Sequence, residues 1–194
     1  MDYGPGDTRF FDRLARLYDL GMPRARKRHL DVGLSLAERP VGRVLDVGGG
    51  TGRAAVELDA ADRIVVDAAR GMLTRARERG LDTVQGDARR LPVADGSADA
   101  VTVVDAFHHL PEQRRVLREA WRVLAPGGVL VIRDFDPDTL LGRGLVLAED
   151  VVGFDSTFTG PDDLARALEE VGFRATVPDR GFGYTVAGVK PGDR

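Results

Sequence analysis

Gly48, Gly49, Gly50 and Gly52 follow an apolar run, Val44 to Val47, that carries a single acid, Asp46. Residues without a Cβ let the main chain of such a bend press against a nucleotide-sized group. In open α/β sheets the crevice for such a group lies at the carboxyl ends of the strands, at a topological switch point. A cofactor site is expected there. Asp67 and Asp87 close two further apolar runs and set two more carboxylates on the same edge. Past a fourth run, Asp105 precedes His108 and His109, and histidine is the side chain poised to gain or lose a proton near neutral pH. Adjacent histidines cannot both face one pocket from a regular element, so either is a candidate general base, the alternative being that both are ordinary residues at a helix start. Asp134 follows the fifth run and is a second candidate base, its alternative being a solvated loop acid. Tyr18, Phe107, Phe135, Phe154 and Phe158 could wall an apolar substrate chamber or equally belong to the core.

Spacing narrows the cofactor. A dinucleotide fold wants G-x-G-x-x-G, whose third glycine lets the helix pack on the strand, and that place holds Arg53. The chain also lacks a Tyr-x-x-x-Lys pair, which argues against a nicotinamide-dependent oxidoreductase. Asp46, Gly48, Gly50 and Gly52 read instead as D-x-G-x-G-x-G, which resembles motif I of class I S-adenosylmethionine-dependent methyltransferases. Three segments follow in that family's order: RIVVDAARGML around Asp67, VQGDARRLP around Asp87, and RVLAPGGVLVI from Arg122 to Ile132. The resemblance runs from about Phe10 to Lys190 and is nearest to the small type related to ubiquinone and menaquinone C-methylases, whose opening helix is similar to FFDRLARLYDL with its Tyr18 and Asp19.

The resemblance implies S-adenosyl-L-methionine as cofactor, S-adenosyl-L-homocysteine as product and a small-molecule methyl acceptor with carbon or oxygen as nucleophile. It implies that Asp46 orders the glycine loop and the methionine end, that Asp67 accepts hydrogen bonds from both ribose hydroxyls, and that Asp87 meets the adenine amino group. Met72 matches an adenine-contacting position, with Ala68 and Ala88 lining the same groove; Asp105 touches the methionine end or orients a histidine. Ala69 stands where the family commonly has serine. The alternative function is a catalytically silent domain that holds the cofactor or its product as a sensor or partner subunit.

Composition sets bounds. At 194 residues the chain has length for one domain with a full core. A net charge of -3 leaves no electrostatic footprint for nucleic acid. The absence of cysteine excludes disulfides and thiolate metal sites. No third histidine is close in sequence to the pair, and His29 is expected on a solvated helix, so no metal site is expected. The sequence has neither an apolar run of bilayer length nor a signal-like leader, and a cytoplasmic protein is expected. The basic run Arg24 to Arg28 could touch anionic lipid head groups, though a solvated face is the commoner case. Nothing specifies an oligomeric state.

The positioning elements follow from periodicity. Residues 1–7 read as disordered, and Thr8–Leu20 and about Arg24–Arg39 as helices. Strands are expected at 43–47, 63–66, 83–86, 99–104 and 128–134, with helices at 52–60, 70–79 and 112–124. Alternation of this kind predicts an α/β, Rossmann-like, seven-stranded, mostly parallel sheet with helices on both faces and the last strand antiparallel. Residues 137–159 read as irregular with a short helical stretch. Pro161 opens a helix closed by Gly172, and 173–177 and 184–189 form a final pair of strands. The expected organisation over 1–194 is a substrate cap at 1–40, a cofactor-binding core at 41–136, a lid at 137–160 and a closing unit at 161–190.

Overall fold

The computed structural model describes residues 27–154 and 156–192. The opening helix expected at Thr8–Leu20, with Tyr18, and the start of the basic run lie outside the described residues. The elements run α1 (Lys27–Leu34), β1 (Arg43–Val47), β2 (Asp62–Asp67), α2 (Arg70–Glu78), β3 (Asp82–Gln85), β4 (Ala98–Val104), α3 (Gln113–Val123), β5 (Leu124–Phe135), α4 (Leu140–Val152), α5 (Pro161–Val171), β6 (Arg174–Asp179) and β7 (Gly183–Val189). The strands form one seven-stranded sheet in the order β3-β2-β1-β4-β5-β7-β6. Pairings from β3 through β5 are parallel, and β7 joins antiparallel to both β5 and β6. The order reverses at β1, whose neighbours are β2 and β4.

Both faces of the sheet are covered, which is why the strands read as unbroken apolar runs rather than alternations. Leu45, Val47, Val101, Val103, Leu130 and Ile132 face a core closed by Val116, Leu117 and Ala120 of α3 and Leu164 and Leu168 of α5. On the other face Leu30 of α1 packs with Val44, Val129, Val131 and Ala187. A third cluster seats Leu73 and Ala76 of α2 against Val65 and Leu81.

Three elements depart from the sequence expectation. The helix expected at 52–60 is a single 3-10 turn, Ala55–Glu57, ended by extended backbone at Leu58. Its physical cause is upstream: Gly48, Gly50 and Gly52 have φ of 67°, 55° and 77°, so the chain is still bending where a helix would have to nucleate. The segment 137–159 carries a full helix, α4, capped by the Thr139 hydroxyl accepting from the Gly142 N–H at 3.0 Å and closed by Gly153 in the left-handed region. Its two internal glycines hid it from propensity. β5 begins at Leu124, which pairs with Ala98 before an irregularity in register. The closing helix and its Gly172 cap, at φ 118°, stand as expected.

Gly52 tests the bend. A Cβ there would meet the Leu81 side chain while the backbone stays left-handed. Gly52→Ala is expected to lower stability by about 2 to 3 kcal/mol, the sum of left-handed strain and overpacking. Urea unfolding reads it, and an unchanged midpoint would contradict the account.

Candidate active site

β1 ends between β2 and β4, so the glycine bend after Val47 opens at the switch point of the sheet. The Gly48 N–H donates to the Val66 carbonyl at 2.8 Å, which ties the bend to β2. Asp67, the last residue of β2, turns its carboxylate into the bend: Oδ2 accepts from the Gly50 N–H at 2.9 Å and Oδ1 from the Ala69 N–H at 2.8 Å. A Cβ on Gly50 would find only the Met72 sulfur near it, at 3.8 Å, so Met72, 2% exposed, underlies the bend. Half-buried Ala68 accepts from the Gln85 side chain through its carbonyl at 2.9 Å.

Asp46 lies beneath the bend. Its Oδ1 accepts from the Thr102 hydroxyl at 2.8 Å, its Oδ2 is buried without a hydrogen-bond partner, and a Cβ on Gly49 would collide with the same carboxylate. Burial, with the Asp67 charge adding to it against the Thr102 bond, pushes the Asp46 carboxyl up to about 7. The folded state therefore holds a proton that the unfolded chain releases near pH 4. Asp46 contributes full stability below that pH and loses it as pH rises through about 7, with a slope of at most about 1.4 kcal/mol per pH unit. Urea midpoints of wild type are expected to fall between pH 5 and pH 8 by more than those of Asp46→Asn; parallel curves would refute this.

Asp87 is engaged by its own neighbour. Arg89 donates to it from its backbone N–H at 2.8 Å, from Nε at 3.0 Å to each oxygen and from a terminal nitrogen at 2.8 Å, while reaching Glu112 at 2.7 Å. Burial pushes the Asp87 carboxyl up, but the Arg89 bonds and charge outweigh it and hold the group below the usual range. Ala88 is buried beside Leu91 in the core under this edge. Asp105 takes a left-handed backbone, φ 51°, uncommon outside glycine. Burial, and then the Asp134 charge, raise its carboxyl.

The histidine pair corrects two expectations. Phe107–His109 form a 3-10 turn, not a regular element, and the two rings lie on one side with centroids 4.1 Å apart. Asp134 is not a solvated loop acid: it is 2% exposed and accepts from the His108 N–H at 2.9 Å and the Phe135 N–H at 2.9 Å, with His108 Nδ1 at 2.6 Å. Three donors thus converge on the one carboxylate, which holds the turn against the end of β5. His108 Nε2 faces Glu149 Oε1 at 3.5 Å. Burial favours the neutral ring, but the Asp134 and Glu149 carboxylates outweigh it and raise His108 to about 9. Near pH 7 the two carboxylates thus favour the charged form of the His108 ring. Burial, followed by the His108 charge, holds His109 well below the ordinary imidazole value, and the Ser156 hydroxyl lies 3.0 Å from its Nδ1. Of the three candidate bases only His109 combines a neutral ring with partial exposure.

The aromatic residues divide. Phe107, 1% exposed, belongs to the core under α3 and is not a chamber wall. Phe158 stacks on His108 at 4.5 Å and 10°, Phe135 meets the same ring edge-on at 5.9 Å, and Phe154 meets His109 edge-on at 5.3 Å. These three surround the histidines. The segment that carries Phe158 is tied to them by the Thr157 N–H donating to the His108 carbonyl at 2.7 Å.

Sequence reasoning missed Glu149, Ser156 and Arg89. Glu149 and Ser156 come from α4 and beyond, with no spacing signal to link them to the pair. The clustering of His108, His109 and Glu149 also removes the ground on which a metal site was not expected. His29, expected on a solvated face, has Nδ1 2.6 Å from Asp179 Oδ2, whose carboxylate also lies 3.5 Å from Arg133.

The residues present suit an adenosyl group: a left-handed bend open above Gly50, and a strand-end carboxylate aimed into it. The methyltransferase domain family matches residues 45–132. A demethylmenaquinone methyltransferase of Deinococcus radiodurans is 32% identical over 95% of this chain and 88% of its own length. One from Beutenbergia cavernae is 40% identical over 148 residues, 70% of this chain. The chain spans 60% of the length of that Beutenbergia protein. A solved methyltransferase from Thermotoga maritima, described as a possible histamine N-methyltransferase, superposes with a TM-score of 0.76 at 25% identity, covering 95% of this chain and 100% of its own. Identity maintained along nearly the full length of the Deinococcus relative, on a sheet whose switch point presents the glycine bend and Asp67 together, shows that the chain belongs to the class I S-adenosylmethionine-dependent methyltransferases, in the branch related to the quinone methyltransferases.

Proposed function

We propose that this protein transfers a methyl group from S-adenosyl-L-methionine to a carbon or oxygen of a small-molecule acceptor. The observation that carries the reading is the Asp67 carboxylate held to the Gly50 N–H at 2.9 Å, a ribose-accepting acid locked to a backbone cradle. The cofactor, when bound, supplies a methyl group already activated by its sulfonium. The chain's own residues have then to align the acceptor and keep water out, and positioning of that kind can supply about 7 to 11 kcal/mol. Under this reading Asp67 and the glycine bend hold the nucleoside, Met72 lies under it with Ala68 and Ala88 beside the groove, Asp87 meets the adenine edge and Asp46 and Asp105 line the methionine end. His109 removes a proton from the acceptor where one must leave, while Asp134 and His108 hold that turn in place.

The acceptor side is the aromatic wall of Phe135, Phe154 and Phe158, the last two carried by the lid segment at 137–160; the expected cap residue Tyr18 lies outside the described residues. Such a wall suits a flat, electron-rich ring, and two relatives are named for methylating demethylmenaquinone. We therefore take a quinol-type ring, methylated on carbon, as the acceptor to try first. The same reading sets the protein in the cytoplasm, with a small molecule rather than a nucleic acid as partner. Among the described residues no helix is long and apolar enough to cross a membrane.

Calorimetry with S-adenosyl-L-homocysteine is expected to show one site per chain, and incubation with methyl-labelled cofactor and a demethylated naphthoquinol to label the lipid fraction. Absence of binding would overturn the reading. Binding without label in any extract fraction would favour the silent sensor domain.

A further inference from the structure

We propose that His108, His109 and Glu149 form a binding site for one divalent transition-metal ion, with Asp134 behind it as the group that orients His108. The inference goes beyond methyl transfer and does not rest on it; in the ion-bound protein His109 is a ligand, and its role as base belongs to the metal-free protein. One ring nitrogen of each histidine and a carboxylate oxygen of Glu149 all lie within 4.8 Å of one another. A first-row ion holds nitrogen and oxygen ligands at about 2.0 to 2.2 Å, so neighbouring ligand atoms on one ion stand roughly 3 to 3.5 Å apart. His108 Nε2 and Glu149 Oε1, at 3.5 Å, already have that spacing. Closing the rest takes at most about 1.3 to 1.8 Å of relative movement between the ligand atoms.

Four further observations point the same way. At 3.5 Å the His108–Glu149 contact is too long for a good hydrogen bond, and the second oxygen of Glu149 is buried with no hydrogen-bond partner. His108 and Ser156 engage the carboxylate, and the one buried oxygen without a partner is an exception that needs an explanation. Asp134, 2.6 Å from Nδ1, holds the His108 ring so that Nε2 faces Glu149, which is how an outer carboxylate orients a metal-ligating histidine. α4 also runs against hydrophobic sorting: Leu147 and Val151 are 66% and 81% exposed, whereas the Glu149 side chain is 13% exposed and turned onto the histidines. The rings of Phe158, Phe135 and Phe154 fix both imidazoles from the apolar side.

Two imidazoles and one carboxylate favour zinc, iron, cobalt, nickel or manganese over magnesium or calcium. Three protein ligands leave a position open for water or for an oxygen of an acceptor.

The test uses the full chain, stripped with a chelator and dialysed. It is titrated with Co²⁺ followed by visible absorption and with Zn²⁺ followed by calorimetry. One ion per chain is expected, with ligand-field bands for Co²⁺ and a Kd for Zn²⁺ of about 10 μM or tighter. Glu149→Gln, nearly isosteric, and His109→Ala are each expected to weaken binding at least about tenfold, while His29→Ala, on α1, leaves it unchanged. Thermal unfolding of each variant is recorded so that only folded protein is scored. Absence of saturable uptake by wild type, or equal uptake by folded Glu149→Gln, would overturn the site. S-adenosyl-L-homocysteine binding is read on the same stripped protein, so failure of the methyltransferase reading and failure of the metal site are separate results.

Discussion

Asp134→Ala is expected to cost about 3 to 5 kcal/mol of stability in the metal-free protein, the penalty for removing one partner of a buried ion pair. The carboxylate and the His108 ring are each 3% exposed as side chains, and the Asp134 oxygens accept from two backbone N–H groups besides facing the ring. Its loss strands a charged imidazole and two amide donors in the interior. Asp134→Asn keeps an acceptor of the same shape and is expected to lose about half as much, as the bonds change from charge-assisted to neutral. Guanidinium unfolding with an unchanged m-value checks both. A loss under about 1 kcal/mol for the alanine variant would mean that the acid is solvated and the network absent.

Asp67→Ala is expected to weaken S-adenosyl-L-homocysteine binding at least roughly a hundredfold, about 3 kcal/mol, with the fold retained. A charge-assisted hydrogen bond is worth about 1.5 to 3 kcal/mol, and a diol lost from a carboxylate loses two. The variant also frees the Gly50 and Ala69 N–H groups from their shared acceptor, so the cradle loses an anchor along with the ligand's partner. Asp67→Asn should fall between the two, because one oxygen remains to accept. Calorimetry on protein with wild-type circular dichroism reads the result. Less than a threefold change would detach the strand-end acid from the nucleoside, and with it the reading of the whole edge.

The two predictions draw on parts of the chain that differ in legibility. The bend and Asp67 were readable because their chemistry is local: a strand end, a run of glycines and an acid closing the next strand each announce themselves within a few residues. Met72, expected at the adenine, lies with its sulfur 3.8 Å from where a Gly50 Cβ would stand. Asp134 and the histidines were visible as residue types but not as a network. Val104 pairs with Arg133 across the parallel β4 and β5, and that register brings the next residue, Asp134, against the turn that follows β4. No local pattern encodes a register between strands almost thirty residues apart. The rule that adjacent histidines diverge assumed a regular element, and a 3-10 turn broke it. Glu149 was illegible for a further reason: its helix carries two glycines and turns Glu149 inward while Leu140, Leu141 and Leu147 face outward, the reverse of the periodicity on which sequence reading depends.

By itself the sequence determined the α/β class, the glycine bend with its strand-end acid and the order of the elements, because backbone freedom and apolar patterning act over short stretches. Only the tertiary structure decided what each acid is paired with. It buried Asp134 against His108, paired Asp87 with Arg89, sent Phe107 into the core and brought Glu149 to the histidines. Burial and partners set the protonation and reach of a side chain, and both arise only when distant elements pack.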